Sequence, residues 1–550
     1  MGAEQGIITT ETGEKLNKVE ALKREKDGLA AWDDIARYAK EGFAAITDED
    51  FIRLRWFGLY QQQPNGAGFF MLRVRIPNGF LSAPQLREIG RIAQEHTRGF
   101  GDITTRQNIQ LHWLTIQDAP QVLRRLEAVG LVTKFACGDT PRNVVGCPLA
   151  GYLADEILDA SGTVQQVNRL FLDADRELSN LPRKFKASIA GCHLHCHQPQ
   201  INDIGAYGVK RRNPDTGQEE IGYGLVVGGG LSTTPHLAQA LRVFITPAQM
   251  PAVAKAVITI FRDFGYREKR THARLKFLVA DWGWQKFRDQ LEKTLGFALA
   301  HDDTLTGPPI ALHTDHVGSG AQKQPGLSYV GVPIERGRLT AAHMIAAADL
   351  AAKYGGDQAR IGLSNKQNLL LINIPTPQVA ALNQELTAAG LTPQAPLWRT
   401  NLVSCTGTQF CNLAIVETKE RAARILKFLE TQVPIDSPIF VSVTGCPNAC
   451  AQYQIADIGL MGVVCNFRGV RGTEAYNVLL GGALGQDAQF AKPVLKKVPA
   501  EHIHEAIKSI VEAYKEQRTS PSETFRGFVS RHTPAQLAAW MTIPEMAEVR

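Results

Sequence analysis

The chain repeats itself. GCHLHCHQPQINDIGAYG (191–208) lies in register with GCPNACAQYQIADIGLMG (445–462). Upstream, DITTRQNIQLHWLTI (102–116) matches RIGLSNKQNLLLINI (360–374), and LRRLEAVGL (123–131) matches LNQELTAAGL (382–391). RIPNGFLSAPQLREIGRIAQEH and GVPIERGRLTAAHMIAAADLAAKYG open the two copies, and VVGGGL (226–231) answers LLGGAL (479–484). The period is roughly 250 residues, far beyond the 20–50 of solenoid repeats. A chain doubled on this scale is confined to a pseudo-twofold molecule, and the space between related halves is a natural place for a large cofactor. Each copy reads as strand, turn and amphipathic helix, then alternating strands, then a helix stopped by Gly130 or Gly390. Ahead of the first copy, EKLNKVEALKREKDGLAAWDDIARYAKEG has helical apolar spacing and predicts a helical extension.

Composition narrows the class. At 550 residues the chain exceeds one core, and two to four domains are expected. Hydrophobic content of 44% and charged content of 21% are those of an ordinary globular protein. No apolar run has the length of a membrane span, and the first residues lack the apolar core of a secretory signal. A cytoplasmic enzyme is expected, with no membrane. Nine cysteines in such a chain do not make a disulfide scaffold. A net charge of +6 suits anionic ligands or an acidic partner, and without a Lys/Arg tract it does not argue for nucleic acid.

Four of the cysteines come as two tight pairs, CTGTQFC (405–411) and TGCPNAC (444–450). The spacings C-x5-C and C-x3-C fit structural zinc poorly. Four thiolates on glycine-rich turns can reach the corners of a [4Fe-4S] cube, and Gly407, Gly445 and Pro447 supply such turns. Buried structural cysteine is the plain alternative.

C-T-G-x-Q-F-C followed by T-G-C-P-N-x-C resembles the assimilatory siroheme/[4Fe-4S] nitrite and sulfite reductase family, over nearly the whole chain. The resemblance implies an α+β, internally duplicated fold with ferredoxin-like half-domains around siroheme and the cluster. It divides the chain into an N-terminal helical extension (1–65), a first ferredoxin-like half-domain (66–136) and a first siroheme-binding α+β domain (137–310). A second ferredoxin-like half-domain (311–394) and a second α+β domain carrying the cluster (395–550) follow. It implies that Cys405, Cys411, Cys446 and Cys450 hold the cluster, with Cys450 also the axial ligand of the siroheme iron. Cys147, Cys192 and Cys196 are extra thiols in the first copy, read as relics of duplication, as packing, or as a second metal site helped by His193, His195 or His197.

Siroheme carries eight carboxylates and the substrate is an anion, so basic residues should crowd the pocket. By resemblance, Arg73, Arg142, Lys184 and Lys186 surround the substrate. Arg106, Gln110, Arg183, Arg274 and Lys276 face the siroheme. Alternation puts Arg75 on the same strand face as Arg73, so preferring Arg73 rests on the resemblance. Tyr60 and Cys137 match positions where some family sulfite reductases carry a Tyr–Cys covalent link. The implied reaction is the six-electron reduction of sulfite to sulfide, or of nitrite to ammonia. Lys186, where nitrite-type relatives tend to carry Asn, leans toward sulfite, whereas RQNIQ fits both. The sequence shows no P-loop and no full dinucleotide or flavin fingerprint, so electrons come from a partner, by resemblance reduced ferredoxin. A non-catalytic iron–sulfur electron-transfer protein is the distant alternative.

Overall fold

The structure, a computed structural model, describes residues 7–9, 15–213, 216–311 and 315–543. Its frame is four five-stranded sheets in two pairs. In the first pair, one sheet runs Arg338–Thr340, Phe100–Ile103, Ile109–Thr115, Phe69–Val74, Leu59–Gln61, antiparallel throughout. Its counterpart runs Gly318–Ala321, Leu327–Val332, Leu369–Pro375, Arg360–Leu363, Phe80–Leu81, also antiparallel. Each sheet thus borrows an edge strand from the other copy: Arg338–Thr340 in one, Phe80–Leu81 in the other. The contiguous segments 66–136 and 311–394 therefore do not close as separate sheets.

One helix follows each exchanged strand directly. Ser82 caps helix Ala83–His96 with a capping box to Gln85, and Thr340 caps Ala341–Gly355 by accepting from the His343 N–H. The two helices pack face to face, Leu86, Ile89, Ile92 and Ala93 against Met344, Ala347, Ala348 and Ala351, in one core shared by both copies. The approach is close at Gly90, where a Cβ would stand 2.9 Å from Ile345 Cγ1 and 3.2 Å from the Ala341 carbonyl oxygen.

The second pair of sheets is mixed. One runs Ala187–Ala190, Ile204–Arg212, Glu219–Val227, Gln239–Ile245, Ala300–His301. The other runs Leu402–Ser404, Val441–Thr444, Ile458–Phe467, Val470–Leu480, Lys492–Pro499. Helices Ser161–Asp173, Met250–Phe264 and Leu275–Leu295 build the core of the first, and Lys419–Gln432 and Ile503–Gln517 that of the second. The duplication holds to single hydrogen bonds. The Lys186 N–H donates to Asp203 Oδ2 at 2.8 Å, and the Phe440 N–H donates to Asp457 Oδ2 at 2.8 Å. In the loops 226–231 and 479–484, the Gly229 N–H donates to Asn202 O at 2.8 Å and the Gly482 N–H to Ala456 O at 2.9 Å.

Buried amides join the copies. Gln107 Nε2 donates to Leu363 O (2.8 Å) and Gly146 O (3.0 Å), and Gln367 Nε2 donates to Ile103 O (2.7 Å) and Ser404 O (3.1 Å). Gln198 and Gln452 donate to each other's carbonyls at 2.8 and 2.6 Å, on the pseudo-twofold axis itself.

The N-terminal segment departs from the all-helical expectation. Lys18–Glu25, Ala31–Glu41 and Asp48–Arg53 are helices, but Ile7–Thr9 pairs with Lys15–Asn17, and Leu59–Gln61 is a strand of the first sheet. Leu59 is buried opposite Leu72, so sheet pairing decides that segment.

The helix contact yields a test. Gly90→Val is expected to overpack the seam and destabilise the protein by about 1–3 kcal/mol, read as a lower denaturant midpoint at unchanged cofactor content.

Candidate functional site

The four paired cysteines stand on one end of the second mixed sheet. Cys405 follows Leu402–Ser404, and Cys446 and Cys450 follow Val441–Thr444, so adjacent parallel strands deliver both motifs to one place. The Gly445 N–H donates to Cys405 Sγ at 3.2 Å, and the Gly407 carbonyl accepts from the Cys411 N–H at 2.9 Å. Gly407 has φ 67°, and a Cβ there would stand 2.5 Å from Thr418 Oγ1. Only glycine fits this turn. Burial pushes the Cys405 thiol up to about 12 and the Cys446 thiol up to about 11, and the neighbouring Cys450 adds to both. Bare, these groups are neutral; holding them as thiolates calls for positive charge such as iron supplies. Among the described residues no three His, Cys, Asp or Glu side chains are placed to hold a single metal ion.

The first copy presents basic residues to Cys450. Arg73, on Phe69–Val74, pairs across the sheet with Gln110, and Gln110 Nε2 lies 3.3 Å from Met71 Sδ. Arg73 Nη1 donates to Cys137 Sγ at 2.7 Å, and its guanidinium lies 5.8 Å from the centre of the Tyr60 ring. Arg142 donates to Ala136 O (3.0 Å) and Gly138 O (2.7 Å), leaving its Nε unpaired and buried. Arg106 donates to Asn202 Oδ1 (2.7 Å), Asn143 O (2.6 Å) and Ala187 O (3.1 Å), and its Nε is also unpaired. Arg274 Nη2 reaches Asp203 Oδ2 at 2.7 Å.

The electrostatics mark one shared pocket. Burial, then Arg274, Arg183 and Arg142, push the Lys184 ammonium down to about 7, and Cys450 opposes them. Burial, then Lys184, Arg106 and Arg274, push Lys186 well below its ordinary value. Burial lowers Arg106 to about 9, against the pull of Asp203. Asp203 is fully buried, and its Oδ1 accepts nothing. One acid among this many buried cations leaves positive charge uncompensated, which is costly unless an anion enters. A polycarboxylate macrocycle with an anionic substrate supplies that charge, and the thiols beyond Cys450 suit a cluster. The residues present fit siroheme and [4Fe-4S].

The structure also sorts the basic set. Arg75 turns away: wholly buried, it donates to Phe135 O, Pro141 O and Arg142 O and to Asn168 Oδ1. It shapes the loop that carries Arg142. Lys276 donates to the carbonyls of Leu231 and Thr234, in the glycine loop. Arg183 lies 3.7 Å from Asp139, which also takes Arg270 at 2.7 Å and Lys23 at 3.6 Å. The Thr105 hydroxyl donates to the Cys450 carbonyl at 2.9 Å, tying the loop of Arg106 to that of Cys450. Of the three first-copy histidines, His197 Nε2 meets Ala206 O at 3.0 Å and His193 pairs with Asp155 at 3.7 Å; neither contact is with a thiol. Sequence reading missed Asp203, the acid that pairs with Arg274; its match with Asp457 in the repeat was the available signal.

Asp203→Ala is expected to cost about 3–5 kcal/mol by leaving Arg274 buried without its partner. Adding Arg274→Met should restore part of the loss in denaturant unfolding. A double variant no better than the single would assign the role of Asp203 to the Lys186 N–H instead.

Comparison with known proteins agrees with this geometry. The model of the nitrite and sulphite reductase 4Fe-4S domain matches residues 137–299 and 399–541, and that of the ferredoxin-like half domain matches 61–129 and 320–389. A sulfite reductase (ferredoxin) of Mycobacterium tuberculosis is 39% identical over 94% of this chain and 95% of its own. An assimilatory ferredoxin-dependent nitrite reductase of Haloferax mediterranei is 36% identical over 95% and 93%. The solved structure of the Mycobacterium tuberculosis NirA protein superposes with a TM-score of 0.89 at 38% identity, covering 95% of this chain and 98% of that one. The chain belongs to the nitrite and sulfite reductase family, with siroheme and a [4Fe-4S] cluster as its cofactors.

Proposed function

We propose that this chain reduces sulfite to sulfide with electrons from reduced ferredoxin, and that it works in the cytoplasm, where its thiols stay reduced. The observation that carries the reading is the group of buried, uncompensated cations from the first copy gathered against Cys450 of the second. Siroheme and the cluster, when bound, supply the electrons one at a time, which no side chain can do. Arg73, Arg142, Lys184 and Lys186 hold the anion and stabilise charge as its bonds to oxygen break. Arg106, Gln110, Arg183, Arg274 and Lys276 line the carboxylate side. Cys405, Cys411, Cys446 and Cys450 would hold the cluster, and Cys450 would also serve the siroheme. Lys184, held near neutrality, gives a proton from Nζ and regains one from water within the working pH range.

Nitrite reduction to ammonia is the second reading, favoured by the Haloferax mediterranei relative. Lys186 decides between them: a second ammonium suits the larger sulfite. Lys186→Asn is expected to lower sulfite turnover at least about tenfold, a loss of roughly 1.4 kcal/mol in transition-state stabilisation, while sparing nitrite turnover. Steady-state rates with both anions and one reduced donor check this, and an unchanged ratio means the residue was misread. Tyr60 and Cys137 face the same arginine, Arg73, and a covalent link between the pair is proposed. Peptide mapping of the holoenzyme should then recover the two peptides joined; separate, unmodified peptides would dismiss it.

A further inference from the structure

The repeat gives the first copy thiols where the second has cluster ligands. Cys147 follows Val145, whose bridge to Ser188 repeats the strand pairing that precedes Cys405. Cys192 and Cys196 stand where Cys446 and Cys450 stand in the other copy. The fourth ligand has no counterpart: Leu153 occupies the position of Cys411. Into that neighbourhood the structure brings His316, from a segment more than a hundred residues downstream.

These side chains touch. Cys147 Sγ lies 3.9 Å from His316 Nε2, and the single Cys147 thiol hydrogen has two sulfur acceptors within reach, those of Cys192 and Cys196. His316 also hydrogen-bonds to Cys196. Cys147 and Cys192 are about 1% exposed, whereas Cys196 is partly exposed and lines a small surface opening with Asp315, Ser364, Asn365 and Lys366. Lys366, fully within the protein, makes no hydrogen bond at Nζ and adds positive charge toward Cys196. Asp315 faces the same sulfur with negative charge, but Ser364 and Asn368 donate to its Oδ2 at 2.5 and 2.8 Å. The four groups do not converge as ligands of one ion. What they do provide is a partly exposed cysteine at the rim of an opening, an imidazole against it, and a second sulfur behind it.

We infer that Cys196 and Cys147 form a thiol–disulfide exchange site, with Cys196 as nucleophile, His316 as its counter-ion and Cys147 as resolving thiol. The co-reactant is a low-molecular-weight disulfide, admitted through the opening beside Lys366. The Cys196 thiolate attacks one sulfur of that disulfide. Its S–S bond breaks, the first small thiol leaves with the proton held on His316, and a mixed disulfide remains on Cys196. The Cys147 sulfur then attacks Cys196 Sγ, and the second small thiol leaves with the proton of Cys147. Two electrons pass from the protein thiols to the small disulfide, and a Cys147–Cys196 bond is left. Contact with the His316 imidazole favours the thiolate: the Cys147 hydrogen bond and His316 lower the Cys196 thiol to about 5 despite its burial.

The test uses the holoenzyme, iodoacetamide and oxidised glutathione. Alkylation at Cys196, followed by peptide mass spectrometry, should be nearly flat between pH 6 and 8. At Cys465, a thiol on strand Ile458–Phe467 without such a partner group, it should rise by about tenfold per pH unit. Oxidised glutathione should yield the peptide joined through Cys147 and Cys196. Cys147→Ser should instead accumulate glutathione on Cys196, and His316→Gln should restore the steep pH dependence. A Cys196 profile that climbs in step with Cys465, a bridge formed only between Cys192 and Cys196, or a stoichiometric metal bound by these thiols would each overturn the inference. The wild-type profile needs no variant, so the test survives a substitution that fails to fold.

Discussion

Exchange of short edge strands, backed by reciprocal buried glutamines, is the constraint on which the rest of the molecule depends. Each of Gln107 and Gln367 satisfies one carbonyl in its own copy and one in the other. An amide left unpaired at such a depth costs about 1–3 kcal/mol, so a small relative slip of the copies breaks several bonds at once. Asp102 adds charge to the joint: Arg338 grips it with two bonds, at 2.8 and 3.0 Å. Against the effect of its burial, Lys419, His112 and Arg338 hold its carboxyl far below the usual range. With the copies fixed in this way, side chains from residues 60–280 meet thiols from residues 405–450 in one place.

That placement carries an electrostatic cost. The site assembles Arg73, Arg106, Arg142, Arg274, Lys184 and Lys186 around a single acid, Asp203. Such a cluster works against folding until anions fill it, so the frame must hold it in place. Two arginines show how: Arg142 spends both terminal nitrogens on backbone carbonyls, and Arg106 spends one on backbone carbonyls and the other on Asn202 Oδ1, which fixes their planes before any ligand arrives. Preorganised charge of this kind needs no rearrangement when the substrate enters.

Much of this was legible in the sequence. The repeat was readable because hydrogen-bonding residues such as Gln107 and Gln367 are kept where they join the copies. That the two cysteine motifs belong together was readable because paired thiols on glycine turns make a distinctive spacing, and adjacent parallel strands do deliver both to one end of a sheet. The strand exchange was not, since Phe80–Leu81 is too short to show a period. Alternation could not separate Arg73 from Arg75, because both lie on one face and the difference arises from a neighbouring loop: three carbonyls of residues 135–142 take up Arg75. Lys276 donates to the carbonyls of Leu231 and Thr234, a contact that only the folded loop creates. His316 had no local signal, because its partners are remote in sequence.

The borrowed edge strands also bear on how the chain is made. Phe80–Leu81 leaves the ribosome long before Arg360–Leu363, the strand it pairs with, and the strand Phe100–Ile103 waits in the same way for Arg338–Thr340. At common synthesis rates of about 5–20 residues per second, the 234 residues between Phe100–Ile103 and Arg338–Thr340 take on the order of 10–50 s to appear. During that interval the nascent first copy shows an unpaired sheet edge to the cell. A chaperone that covers this edge, or slow translation that lengthens the wait, would then govern how much of the protein reaches its final form.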